Sequence, residues 1–152
     1  MKPHLGSLAI TSSAFRHGAP IPDTYADSGN PVLPPLSWTG VPEGTASFAL
    51  VVHDPDAPLT YGFTHHVAYN IPAIATELTA ETPATAGANT MGGDAYVPPA
   101  PPPGHGDHFY YFELYALGAD LQLPTGLSRA ELLTRIDDHI LEQARTVGTY
   151  RN

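Results

Sequence analysis

The segment His108-Phe109-Tyr110-Tyr111-Phe112-Glu113-Leu114-Tyr115-Ala116-Leu117 decides the fold class. Successive side chains of an extended chain point to opposite faces. His108, Tyr110, Phe112 and Leu114 therefore share one face, and Phe109, Tyr111, Glu113 and Tyr115 the other. Both faces are largely apolar, which predicts a central strand of a sheet. Outward from it, Ser47 to His53 is apolar and partly β-branched, bounded by Glu43-Gly44 and Pro55, and reads as a buried strand. His65 to Ile71 is another, stopped by Pro72, and Leu8 to Ile10 is a short one. Prolines at 20, 22, 31, 34 and 35 mark a turn-rich region. Residues 73 to 107 contain no convincing regular element, and a stretch that long is usually functional or disordered.

One helix is predicted late, over about 128–145. Ser128 with Glu131 three residues on forms a capping box. Leu132, Leu133, Ile136, Ile140, Leu141 and Ala144 then repeat at helical spacing, and Gly148 can stop the helix.

The 152 residues suit a single domain spanning 1–152. The chain has 17 prolines and 14 glycines, which fits many short strands and long loops better than a helical bundle. With no cysteine, disulfides, thiolate metal sites and a cysteine nucleophile are excluded. Six basic against 15 acidic residues give a formal charge of −9, which argues against nucleic-acid binding. No stretch reaches the ~18 apolar residues of a membrane span, so no integral membrane association is expected. Met1 to Ser7 has no apolar run of signal-peptide length, and the default localisation is cytoplasmic.

Polar residues able to do chemistry gather in His53-Asp54-Pro55-Asp56-Ala57-Pro58, in Gly62 to His66, and in Gly104-His105-Gly106-Asp107-His108. Polar groups at strand ends, joined by Pro- and Gly-rich loops, are how a rigid scaffold presents a site. The plain alternative is that these histidines cap strand ends. A carboxylate beside imidazoles can fix a tautomer, bind an anion or pass a proton. His105 and His108, with Asp54 and His65, are zinc ligand types, but the spacing matches no specific zinc motif. A serine hydrolase is weaker still, because no Gly-x-Ser-x-Gly elbow is present.

The order Leu36-Ser-Trp-Thr-Gly-Val-Pro-Glu-Gly44, Asp54-Pro-Asp-Ala-Pro58 and Gly62-x-x-His65 with Tyr69-Asn-Ile-Pro72 resembles the phosphatidylethanolamine-binding protein family. The bacterial, Raf-kinase-inhibitor-like branch is most similar. The resemblance continues through Pro101-Pro-x-Gly104-His-Gly-x-His108-x-Tyr110 and Leu114 to Leu117, and ends at Gly148-Thr-Tyr-Arg151. It implies an all-β-dominated sandwich of a large antiparallel sheet and a smaller one, with a C-terminal helix. It implies cis prolines in the 54–58 loop and a small anion-accepting cavity. That cavity would be built from Asp54, Pro58, Phe63, His65, Ala100, Pro101, Pro102, His108 and Tyr110. No metal and no cofactor are implied, and bacterial relatives suggest a homodimer.

This chain departs from the bacterial pattern at three rim positions. It has His66 for Trp, Pro98 in a Pro98-Pro-Ala-Pro-Pro102 run for a Gly-Pro-Cys-Pro-Pro one, and Phe109 for Arg. Strand alternation points His66 to the face opposite His65. The leading reading is a binder of a small anionic or phosphate-bearing ligand. The alternative is a small-molecule enzyme, a cyclase, dehydratase or isomerase, using Asp54, His65, His108 and Tyr110 for acid–base chemistry. A third is a partner-binding or kinase-regulating protein, for which no residue identifies a partner. Asp54 should favour protonated imidazoles, so an anion should bind more tightly at pH 6 than at pH 8.

Overall fold

The computed structural model describes residues 4–26 and 29–152; the start of the N-terminal stretch considered for a leader, Met1 to Pro3, lies outside the described residues. Two antiparallel sheets form the frame. The smaller contains β1 (Ala9–Thr11), β2 (Leu36–Thr39) and β5 (Glu77–Leu78), in the order β1-β2-β5. The larger contains β3 (Ser47–Asp54), β4 (Phe63–Pro72), β6 (Thr85–Ala86), β7 (His108–Leu117) and β8 (Ile140–Tyr150), in the order β6-β4-β3-β7-β8. The expectation of strands beneath the long loops therefore holds, with two two-residue strands inside the 73–107 stretch and β2 added before β3.

The large sheet is covered on both sides, which explains why β3 is buried at every residue and why β7 is apolar on both faces. Phe48, Leu50, Val52, Phe112 and Leu114 point toward the small sheet and pack with Leu36 and Trp38. Ala49, Val51, Val67, Tyr69 and Tyr115 point the other way, onto Leu132 and Ile136 of helix α1 (Arg129–Ile136). Two apolar layers on one sheet need strands without a polar face.

The helix begins as read, with both bonds of the Ser128–Glu131 capping box formed. Its end is a correction. It stops at Ile136, passes through a 3-10 turn at Asp137–His139, and the chain continues as β8, not as helix to Arg145. Two carboxylates, Asp137 and Asp138, sit where the helix dipole disfavours negative charge. The free edge of β7 supplies a full ladder for residues 140–150, from Leu117↔Ile140 to His108↔Tyr150. Tertiary pairing thus overrides a local period that fits a helix. Gly148 lies inside β8 rather than at a helix end. A Cβ there would sit 2.5 Å from Cγ1 of Ile21, so glycine lets the 15–21 loop lie on the strand.

The described peptide bonds are all trans, so the cis prolines implied for the 54–58 loop are absent. Among the described residues no helix is long and apolar enough to cross a membrane.

Candidate functional site

The site is assembled where β3 ends, β4 begins and β7 begins. Val52 pairs with Phe112 and Leu50 with Leu114, so Asp54 shares a face with His108 and Tyr110. On the other side of β3 the register slips: Val52 pairs with His66, but His53 pairs with Thr64. His65 is the extra residue of this β-bulge. A bulge breaks alternation and re-aims a side chain. His66 takes the face of Val52 by its register, and His65 joins it there, with its ring 5.2 Å from that of Tyr110. The expected separation of His65 and His66 onto opposite faces is therefore wrong. The turn between β3 and β4 depends on Gly62, at φ 69°, where a Cβ would lie 2.4 Å from the Asp54 carbonyl oxygen.

The polar floor is a chain of short hydrogen bonds. His108 Nδ1 donates to Asp54 Oδ2 at 2.7 Å, and both residues are about 2% exposed. The other carboxylate oxygen, Oδ1, accepts from the Asp56 backbone N–H at 2.7 Å. On the far side of the ring, His108 Nε2 meets Nδ1 of His105 at 2.5 Å. Asp56 Oδ2 in turn accepts from the Phe109 backbone N–H at 2.8 Å, tying the 55–62 turn to β7. The loop before β7 is fastened by Arg151, which donates to both carboxylate oxygens of Asp107 at 2.7 and 2.9 Å. Asn152 Nδ2 donates to the Pro101 carbonyl at 2.6 Å.

His65 Nδ1 donates to the Val97 carbonyl at 2.6 Å. Burial holds its pKa below the usual range, and it does so against the opposing influence of that carbonyl and of Asp54. The ring is therefore neutral near pH 7, with the proton on Nδ1 and the lone pair on Nε2. This corrects the expectation that the Asp54 carboxylate would favour an imidazolium here: desolvation is the larger effect. Burial first, then the Asp54 carboxylate, holds the Tyr110 phenol protonated well above its ordinary range. The site thus offers one buried lone pair, one phenol proton and one Asp–His pair, which is an acid–base set.

These groups open into one cavity of about 370 Å³. All nine residues singled out in the sequence, Asp54, Pro58, Phe63, His65, Ala100, Pro101, Pro102, His108 and Tyr110, line it. Ala57, Leu59, Met91, Val97 and Pro98 complete the wall, and among the described residues no Lys or Arg lines it. The rim departures are placed unevenly: Pro98 is in the wall, Phe109 is 42% exposed beside it, and His66 lines a different cavity. His105 was legible only as a zinc ligand type. Its spacing of three from His108, between Gly104 and Gly106 at positive φ, is the signal for a loop that folds one ring onto the other. Met91 and Val97 carry no signal in the sequence, because they come from the stretch without regular structure. Among the described residues no three His, Asp or Glu side chains are grouped to hold a metal ion.

A family model described as phosphatidylethanolamine-binding protein matches residues 11–151. The UPF0098 protein of Aquifex aeolicus is 39% identical over 152 residues, covering 95% of this chain and 88% of that one. The crystal structure of the Chlamydia trachomatis homologue CT736 superposes with a TM-score of 0.89 at 37% identity, covering 96% of this chain and 98% of that one. YbcL of Escherichia coli, described as a new member of the mammalian family, superposes at 0.87 with 29% identity, covering 97% and 99%.

Proposed function

The chain belongs to the phosphatidylethanolamine-binding protein family, and from that premise we propose that it binds a small anionic or phosphate-bearing organic molecule in the Asp54–His65–His108–Tyr110 cavity. The observation that carries the reading is the convergence of polar groups from three separated segments on the floor of one otherwise apolar cavity. Small-molecule sites have this form, a mainly apolar wall with a few placed polar groups. Because among the described residues no Lys or Arg lines the cavity, an anion has to be matched by a proton taken up on an imidazole. His65 is neutral when the cavity is empty, so anion binding draws a proton onto it and strengthens as the pH falls. The apolar wall favours a ligand with a carbon body over bare phosphate.

Isothermal titration with phenyl phosphate, benzoate and inorganic phosphate at pH 6 and pH 8 tests this. The aromatic anions should bind more tightly than inorganic phosphate, and each more tightly at pH 6. Equal affinity for phenyl phosphate and inorganic phosphate, or tighter binding at pH 8, overturns it. One observation favours a second reading, turnover by acid–base chemistry: His65, whose Nδ1 is taken by the Val97 carbonyl, and Tyr110 line the same cavity. Consumption of a metabolite that stops in His65→Ala would select that reading. No protein partner enters either one.

A further inference from the structure

A second cavity lies beside the first, on the same face of the large sheet, where the sheet meets the 31–35 loop and the turn from β5 to β6. Its volume is about 620 Å³, inside the ~300–1,000 Å³ range of small-molecule sites. Two pairs of sequence neighbours divide between the cavities. His65 and Val97 line the first, and His66 and Tyr96 line the second. Among the described residues no Asp, Glu, Lys or Arg lines the second cavity. Most of its polar groups are already engaged. Thr82 Oγ1 donates to the Glu77 carbonyl, Thr85 Oγ1 accepts from Asn70 Nδ2, and the Tyr96 hydroxyl donates to the Tyr25 carbonyl at 3.2 Å.

His66 is the exception. Its Nδ1 is sealed from solvent and has no hydrogen-bond partner among the described residues. A buried N–H without an acceptor costs more than a buried lone pair of a ring that can place its proton elsewhere. The neutral tautomer with a lone pair on Nδ1 and the proton on Nε2 therefore dominates. Burial depresses the imidazolium further, outweighing the nearby Asp94 carboxylate. The ring thus presents one donor, Nε2–H, braced edge-on against Tyr96 at 6.4 Å and 84°.

We propose that this cavity is a second ligand site, taking an uncharged, chiefly apolar small molecule that carries one hydrogen-bond acceptor placed on His66. It is independent of the anion site, with which it shares no lining residue among the described ones. A charged ligand is disfavoured because none of the described lining residues carries a charged side chain to compensate its desolvation.

Acetophenone is a suitable probe, with one aromatic ring and one carbonyl acceptor, and benzoate is its anionic counterpart. Titration of isotope-labelled protein, followed by ring signals of His66 and Tyr96 and by those of His65 and Tyr110, reads both cavities at once. Acetophenone should move the His66 and Tyr96 signals saturably, and benzoate should leave them in place. His66→Phe keeps a ring but loses the donor, and should weaken acetophenone about fivefold, the order expected for one neutral hydrogen bond. Ala86→Leu narrows the cavity and should weaken it by a similar factor or more. The proposal is overturned if acetophenone moves only His65 and Tyr110, if no saturation occurs up to its solubility, or if folded His66→Phe binds it as tightly as the unmodified chain. Benzoate moving His66 and Tyr96 also overturns the uncharged ligand class. Failure of benzoate at the first cavity bears on the anion reading alone.

Discussion

His65 and His66 are adjacent, chemically identical and on the same face of one sheet, yet they face different demands. His65 has its Nδ1–H taken by the Val97 carbonyl and lies beside a carboxylate–imidazole pair. Among the described residues His66 has no partner for its sealed nitrogen and no charged side chain lining its cavity. One register slip in β4 makes the difference, because it turns what would be an alternating pair into neighbours on one side. The comparison teaches that a titratable residue takes its chemistry from the second group it meets. Both rings are held neutral by burial, but only His65 has Asp54 and the Asp54–His108 pair within its electrostatic reach.

The strongest way to break this contrast is to remove the carboxylate. Asp54→Ala leaves the buried His108 Nδ1–H and the Asp56 N–H without their acceptor. It should destabilise the fold by about 3 kcal/mol in urea denaturation, the scale for breaking a buried pair. Phenyl phosphate binding should be lost while acetophenone affinity at the second cavity stays within about twofold, since the two sites are built independently.

A third histidine sharpens the comparison through pH. His53, 8% exposed and bonded through Nδ1 to Thr64 Oγ1 at 3.0 Å, has its pKa lowered to about 4, chiefly by burial. In the unfolded chain it titrates near ~6.5. Between these values the unfolded state holds the extra proton. Stability is thus unaffected by His53 above pH ~6.5 and is lost as the pH falls toward 4. His53→Gln should remove about 2 kcal/mol of the stability difference between pH 7.5 and 4.5, measured from paired urea curves.

His65→Ala should weaken phenyl phosphate at pH 6 about tenfold by calorimetry, as loss of one charge-assisted hydrogen bond. His139→Ala, in the turn after α1, is its control and should leave that affinity unchanged. The smallest effect belongs to His105. Its ring meets His108 Nε2 without itself lining the cavity, so His105→Ala should change phenyl phosphate affinity by less than about threefold by calorimetry.

Much of the frame was legible because its signals are local. The alternation of His108 to Leu117 places His108 and Tyr110 on one face whatever lies beside them, and Asp54 ends an apolar run that has to be buried. The Ser128–Glu131 cap is a contact within one turn of chain. His65 was legible with His66 as one polar segment, but its place in the pocket came through resemblance to the family, because alternation puts the two on opposite faces without saying which of them meets His108. Residues 140–150 were misread because Ile136, Ile140 and Ala144 satisfy a helical period, while the β7 edge that captures them lies more than 20 residues earlier in the chain.

What the sequence determined by itself is therefore the set of strands with two apolar faces, the helix start and the residue types able to hold or move a proton. Patterning and capping depend on neighbours a few residues apart, so they survive without knowledge of the fold. Tertiary structure alone decided where the helix ended, that His65 sits at a bulge, that His105 closes on His108, and that His66 faces a cavity of its own. Each depends on register between strands distant in the chain, and a slip of one residue there moves a side chain from one environment to another without altering any local preference.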